Sequence, residues 1–155
     1  LMVHKAMEVA KPGDVLVVST CRNDNAAVFG ELMATTLKEA GIQGIVVDGA
    51  VRDADALREM GVNVFARSEV ASACDKDGPG EINFPVSCGG IPVLPGDVIV
   101  GDADGVVVVR YSDLEYVLAR TERIAAAEAD RIREIKSGVL FKPEIDATLK
   151  AKGVI

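Results

Sequence analysis

The amino-acid sequence predicts an α/β fold with a partly parallel sheet, C-terminal β-hairpins and a long final helix. Three observations carry this expectation. Short, continuous apolar runs alternate with amphipathic helical stretches over the first 66 residues. A turn-rich segment with three short strands follows. An Ala-, Glu- and Arg-rich helical pattern then extends to about residue 136.

In order, Pro12-Gly13-Asp14 is a turn that feeds the apolar run Val15–Val18, which reads as a strand buried on both faces. Residues 19–25 form a polar loop. The spacing of Leu32, Met33, Leu37 and Ala40 predicts a helix over Val28–Ala40, stopped by Gly41. Gly44–Val47 reads as a second buried strand, Asp48-Gly49 as a turn, Asp53–Met60 as a short helix ended by Gly61, and Val62–Ala66 as a third strand. This βαβαβ order implies parallel strands with right-handed crossovers. Beyond it, Ile91–Leu94, Val98–Val100 and Val106–Val109 read as hairpin strands, separated by Pro95-Gly96-Asp97 and Asp102–Gly105. Ser112 and Glu115 have capping-box spacing at the start of the long helix, Ser112–Lys136, which Gly138 ends. The tail 139–155 is weakly patterned. Pro-Gly-Asp-Val-(Leu/Ile)-Val occurs at 12–17 and again at 95–100, as one strand-entry turn used twice. No linker or low-complexity stretch interrupts residues 1–155, so a single domain is expected.

Composition narrows the function. The 155 residues carry 17 basic and 24 acidic side chains, a net charge of −7, which repels phosphate backbones and makes direct nucleic-acid binding an unfavourable expectation. Apolar runs of four or five residues are too short to span a membrane. Three cysteines without CxxC spacing suit a reducing cytoplasm better than a disulfide scaffold or a zinc site. With one histidine, His4, a histidine general base or a histidine-rich metal cage is close to excluded. The chain opens Leu1-Met2-Val3 without signal-peptide character, and an N-terminal segment of the native protein is expected to be missing.

Two places can carry chemistry. Gly30-Glu31-Leu32-Met33 opens a helix, where unpaired N–H groups and the positive dipole end can hold a carboxylate or phosphate. Asp48–Asp55 follows a buried strand, and ligands bind at the carboxyl ends of parallel strands. There, Arg52 offers a planar fork to a carboxylate or enolate oxygen. Asp53 is a hard oxygen ligand suited to Mg²⁺ or Mn²⁺. Each place alone also has an ordinary explanation: Glu31 as a dipole-favourable first-turn acid, Asp53 or Asp55 as an N-cap, Arg52 as an ion-pair partner. Together they should face one crevice, with twenty residues separating Glu31 from Arg52-Asp53.

This combination resembles the RraA-like family, which contains the class II 4-hydroxy-4-methyl-2-oxoglutarate aldolases and the regulators of ribonuclease E activity. The resemblance lies in Gly30–Met33, in Gly44–Asp53, and in Gly89-Gly90 through Pro95-Gly96-Asp97 to Asp102–Val108. It implies a three-layer β/β/α swivelling-type domain, assembled as a homotrimer or hexamer with sites between subunits. By the same resemblance, the amides of residues 30–33 grip a pyruvate carboxylate, Arg52 binds the keto or enolate oxygen, Asp53 holds a divalent cation, and Glu31 orders a proton-transferring water. A further acid from a neighbour's C-terminal helix would reach the metal's water shell; Glu128 is the choice by position, with Glu122 and Glu134 as rivals. The implied activity is metal-dependent cleavage of 4-hydroxy-2-oxo acids to pyruvate, with oxaloacetate decarboxylation through the same enolate. The competing expectation is a non-catalytic protein that binds and inhibits ribonuclease E.

The residues fit this chemistry without the name. A pyruvate enolate needs either a Schiff-base lysine or a Lewis acid with a positive donor. None of the eight lysines falls inside a predicted buried strand, where its pKa could be lowered, so the metal route is favoured.

Overall fold

Two apolar strands start the sheet. The computed structural model describes residues 1–142 and 144–155. Its contacts divide the chain into two compact units, Leu1–Tyr111 and Ser112–Ile155.

The first unit begins with helix α1 (Met2–Val9) and strand β1 (Val15–Ser19). Helix α2 (Glu31–Glu39), strand β2 (Gly44–Val51), helix α3 (Ala54–Met60) and strand β3 (Asn63–Glu69) follow. The three strands form a parallel sheet in the order β1-β2-β3. Among the described strands, only β2, the central one, is buried along its whole length. β1 was expected to be buried on both faces; as an edge strand it is only half-buried. The core joins one side of the sheet to the helices: Met7 of α1, Ala34 and Leu37 of α2, Ile45, Val47 and Val51 of β2, Leu57 of α3, and Phe29 just ahead of α2. Phe29, Leu37, Ile45 and Val47 are fully buried, each stabilising by about 1.5–3 kcal/mol from area alone.

Four further strands form two antiparallel pairs: β4 (Val86–Cys88) with β5 (Ile91–Val93), and β6 (Val98–Asp102) with β7 (Gly105–Val109). Pro95-Gly96-Asp97 therefore joins two hairpins rather than closing one, because β5 pairs back to β4. The repeated Pro-Gly-Asp string does make the same turn twice. Asp14 Oδ2 accepts from Lys11 N–H at 2.8 Å, and Asp97 Oδ2 accepts from Leu94 N–H at 2.9 Å. Gly13 and Gly96 take nearly the same positive φ, 95° and 92°. Such a conformation suits glycine.

Three expectations are corrected here. Asp48-Gly49 is not a turn: β2 runs through it, with a register shift between Val47 and Ala50. α2 begins at Glu31, not Val28, because residues 28–30 are bonded to β2 and its exit, with a bend at Val28 and extended backbone at Gly30. Val28 N–H donates to Ala50 O and Arg52 N–H to Phe29 O, each at 3.0 Å. The Ser112–Glu115 capping box does not form; Ser112 Oγ donates to Asp113, and a short 3₁₀ turn, Tyr111–Asp113, leads into the helix.

The second unit holds helix α4 (Leu114–Lys136) and helix α5 (Glu144–Ala151), the latter within the tail that had read as weakly patterned. α4 has no buried residue along its 23 positions.

Candidate functional site

The site is built where the exit of β2 meets the entry of α2. Gly30 has extended backbone and stands at the N-cap of α2. A Cβ at this position would lie 2.6 Å from Asp53 Oδ2 and 2.9 Å from Arg52 Cγ, so only a residue without a side chain lets the two segments approach this closely. The glycine is therefore required by proximity, not by its dihedral angles.

Asp53 occupies the N-cap position of α3 in the left-handed region, φ 58° and ψ 40°, which aspartate tolerates better than most residues. Its carboxylate does not cap α3. It reaches across to α2, where Asp53 Oδ2 accepts the Glu31 N–H at 3.1 Å. One orphan donor of α2 is thus satisfied by a carboxylate lying 22 positions later, favourable beside the positive end of a helix. Arg52 Nε lies 3.4 Å from the same Oδ2, in a pair whose members are both partly exposed. The amides of Leu32 and Met33 belong to the same first turn and have no acceptor within the helix.

Gly30, Glu31, Arg52 and Asp53 are thus brought together in close contact. Leu32 projects from the rim, 79% exposed, and Met33 is half-buried, packed against the core. Glu128, with its rivals Glu122 and Glu134, lies on the exposed α4 of the second unit. Among the described residues, no group of three or more His, Cys, Asp or Glu side chains clusters as a metal cage. Asp53 supplies a carboxylate whose hydrogen bond and ion pair both fall on one oxygen. That donor set fits a Mg²⁺-like ion that keeps most of its waters and takes one or two protein carboxylates.

A second cluster stands four residues upstream of Arg52 and was not expected. Asp48, central in β2, is 4% exposed. Its Oδ2 accepts the Gly89 N–H at 3.0 Å; its Oδ1 has no hydrogen bond and lies 3.5 Å from Arg67 Nε. Arg67 in turn forks onto Asp24, Nε to Oδ1 at 3.2 Å. The Asp24 hydrogen bond and charge, aided by Asp48, hold the guanidinium above its ordinary pKa. Burial, with the negative charge of Asp48 beside it, pushes the Cys88 thiol up, against a hydrogen bond that pulls it down. The signal in the sequence was a charged residue and a glycine inside an apolar run. A glycine within a strand marks a bulge or a close approach as readily as a turn.

A parallel β1-β2-β3 sheet with helices on its core side, antiparallel hairpins and a long final helix, with Arg-Asp at the exit of the central strand, defines the class: α/β proteins of RraA fold. Residues 1–108 match the RraA-like family, described as Aldolase/RraA, and the chain belongs to that family. Over 140 residues it is 42% identical to a protein of Halalkalibacterium halodurans provisionally named a 4-hydroxy-4-methyl-2-oxoglutarate aldolase, covering 90% of this chain and 67% of that one. Over 107 residues it is 35% identical to the 4-hydroxy-4-methyl-2-oxoglutarate aldolase of Thermus thermophilus, covering 69% and 65%. Among solved structures, Streptomyces coelicolor RraAS2, described as an unusual member of the RNase ES inhibitor RraA protein family, matches with a TM-score of 0.76 at 34% identity, covering 84% of this chain and 68% of that one. The matched stretch spans about two-thirds of the length of these relatives.

Proposed function

We propose that the chain carries a divalent-metal-dependent aldolase site that cleaves 4-hydroxy-4-methyl-2-oxoglutarate-type acids to pyruvate and decarboxylates oxaloacetate as a side activity. The observation that supports this reading is the meeting of Arg52, Asp53 and the first turn of α2 through the 3.1 Å Asp53–Glu31 bond. In such a reaction the 4-hydroxyl loses its proton and the C3–C4 bond breaks. The C4 oxygen becomes the carbonyl of one pyruvate, and the C3–C4 electron pair becomes the enolate of a second, which is then protonated at C3.

Each residue of the candidate site has a task in that sequence. The free first-turn amides of Leu32 and Met33 bind the substrate carboxylate. Arg52 orients the keto oxygen and receives the negative charge that develops on it. Glu31, at the mouth of the same turn, holds the water that moves the proton. Asp53 holds Mg²⁺ or Mn²⁺, with Glu128 of a neighbouring copy completing the water shell. The cation, when bound, supplies Lewis-acid stabilisation to the enolate. The homotrimer or hexamer this requires, and a cytoplasmic setting suited to its three free cysteines, belong to the same proposal.

A second reading, a regulator that binds ribonuclease E without catalysis, is favoured by the likeness to RraAS2. One assay separates the two. Pyruvate release from 4-hydroxy-4-methyl-2-oxoglutarate and from oxaloacetate is measured with added Mg²⁺ or Mn²⁺ and then with EDTA. Metal-dependent release abolished by chelation is expected, because a single carboxylate holds the ion weakly. Full turnover in chelator would overturn the metal mechanism; no turnover with either metal would leave the regulator reading ahead.

A further inference from the structure

The register of the sheet places one arginine against a two-residue bulge. Val47 pairs with Ala66 and Ala50 with Ser68, so Asp48 and Gly49 of β2 together oppose Arg67 of β3. A bulge of this kind bends its strand and re-aims the residues beyond it. Four interactions hold this one. Arg67 Nε stands 3.5 Å from Asp48 Oδ1 across the bulge. Gly89 N–H donates to Asp48 Oδ2, and Thr20 Oγ1 donates to Asp48 O at 2.8 Å. The Arg67 fork is itself fixed by Asp24. Gly49 has no room for a side chain, since a Cβ would strike Thr20 Oγ1.

The bulge has a direct route to the Arg52–Asp53 pair. Beyond it, the backbone of residues 50–52 is clamped on both sides. Val28 N–H donates to Ala50 O and Arg52 N–H to Phe29 O on the α2 side; Val70 N–H donates to Val51 O on the β3 side. The phase in which β2 leaves the bulge therefore decides where Arg52 and Asp53 emerge against Gly30. The clearance at Gly30, under 3 Å for an added Cβ, leaves little tolerance for a change of phase.

We propose that Asp48 and Arg67 are positioning residues for the Arg52–Asp53 pair: their ion pair across the β2 bulge sets the placement of the site, with Asp24 steadying the guanidinium. A bulge without this pair would still fit the sheet but would not hold one phase. An unpartnered Asp48 charge in the interior would favour rearrangement. The inference rests on Arg52 and Asp53 being the working pair.

The test reads the Glu31 amide proton, whose hydrogen bond to Asp53 reports the site's geometry without turnover. Asp53→Ala gives the position of the unbonded resonance. In Asp48→Asn and Arg67→Gln the Glu31 resonance is expected to move at least half of the way toward that position. In the same variants kcat for pyruvate release should fall about ten-fold or more, as a misplacement of about an ångström does, with smaller change in KM. Arg67→Lys should restore part of both. If either variant fails to fold, Asp24→Asn, at a partly exposed carboxylate one contact removed from buried Asp48, should shift the resonance in the same direction by less. A merely structural pair would lower the melting temperature yet leave the Glu31 resonance and the kcat of folded protein at wild-type values, and that result overturns the inference. If the wild type releases no pyruvate with any metal, the aldolase reading fails while the resonance still decides the positioning role.

Discussion

Gly30 is where a single added atom would run into the Arg52–Asp53 pair. The groups an added methyl would strike belong to two side chains, Asp53 Oδ2 and Arg52 Cγ, not to the surrounding backbone. Gly30→Ala should therefore displace the site more than it unfolds the protein. A stability loss of about 1–3 kcal/mol is expected from overpacking. A fall of about 10²-fold in pyruvate release is expected from displacement of the reacting groups. Thermal melts and kcat measured on the same sample check this; wild-type turnover in a folded variant would show that the close approach is incidental. Cys88 gives a second residue-scale prediction. Its raised thiol pKa means that the folded state holds the proton more tightly than the unfolded chain does. Stability linked to Cys88 is therefore full at neutral pH and is lost as pH rises through and above the ordinary thiol value of about 8.5. Denaturant midpoints across that range should fall in the wild type and flatten in Cys88→Ser.

At the scale of elements, the parallel strands and their helices were legible because apolar runs and helical spacing report burial directly. α3 ends on Gly61 in the left-handed conformation, as its sequence suggests. The features that could not be read were decided by partners distant in the chain. Asp48-Gly49 has the composition of a turn, yet Gly89, Arg67 and Thr20 turn it into the interior of a strand. Asp53 looks like the N-cap of its own helix, but its carboxylate serves α2 instead. Val28–Gly30 fits the helical pattern of α2, and hydrogen bonds to residues 50 and 52 hold it out of the helix. The capping box at Ser112 failed for a local reason: the hydroxyl found the adjacent Asp113 carboxylate first. That Gly30, Glu31, Arg52 and Asp53 come together was thus foreseeable from the two motifs. The bond that joins them, and the bulge behind it, were not.

For the whole molecule, the exposed apolar side chains matter most. Leu118, Ile124 and Ile132 of α4 are each at least half exposed, and Phe141 is 82% exposed. A helix of this length with no buried residue gains little from packing, and large apolar side chains left exposed along it point to a partner surface. Association of copies through α4 and the adjoining Val139–Phe141 is expected. Sedimentation at micromolar concentration should give three or six times the chain mass, and a single-chain mass would contradict the shared site.

The most direct test of the proposed enolate-stabilising role is one substitution, Arg52→Lys, measured by kcat for pyruvate release with saturating metal and with melts showing both proteins folded. Lysine keeps the positive charge but loses the planar, two-pronged contact and part of the reach. If Arg52 carries the developing negative charge, kcat falls by about 10²–10³, a barrier change of about 3–4 kcal/mol. If Arg52 is only the partly exposed ion-pair partner of Asp53, the change is worth about 0–1 kcal/mol of stability and the two rates are nearly equal, which would contradict the account.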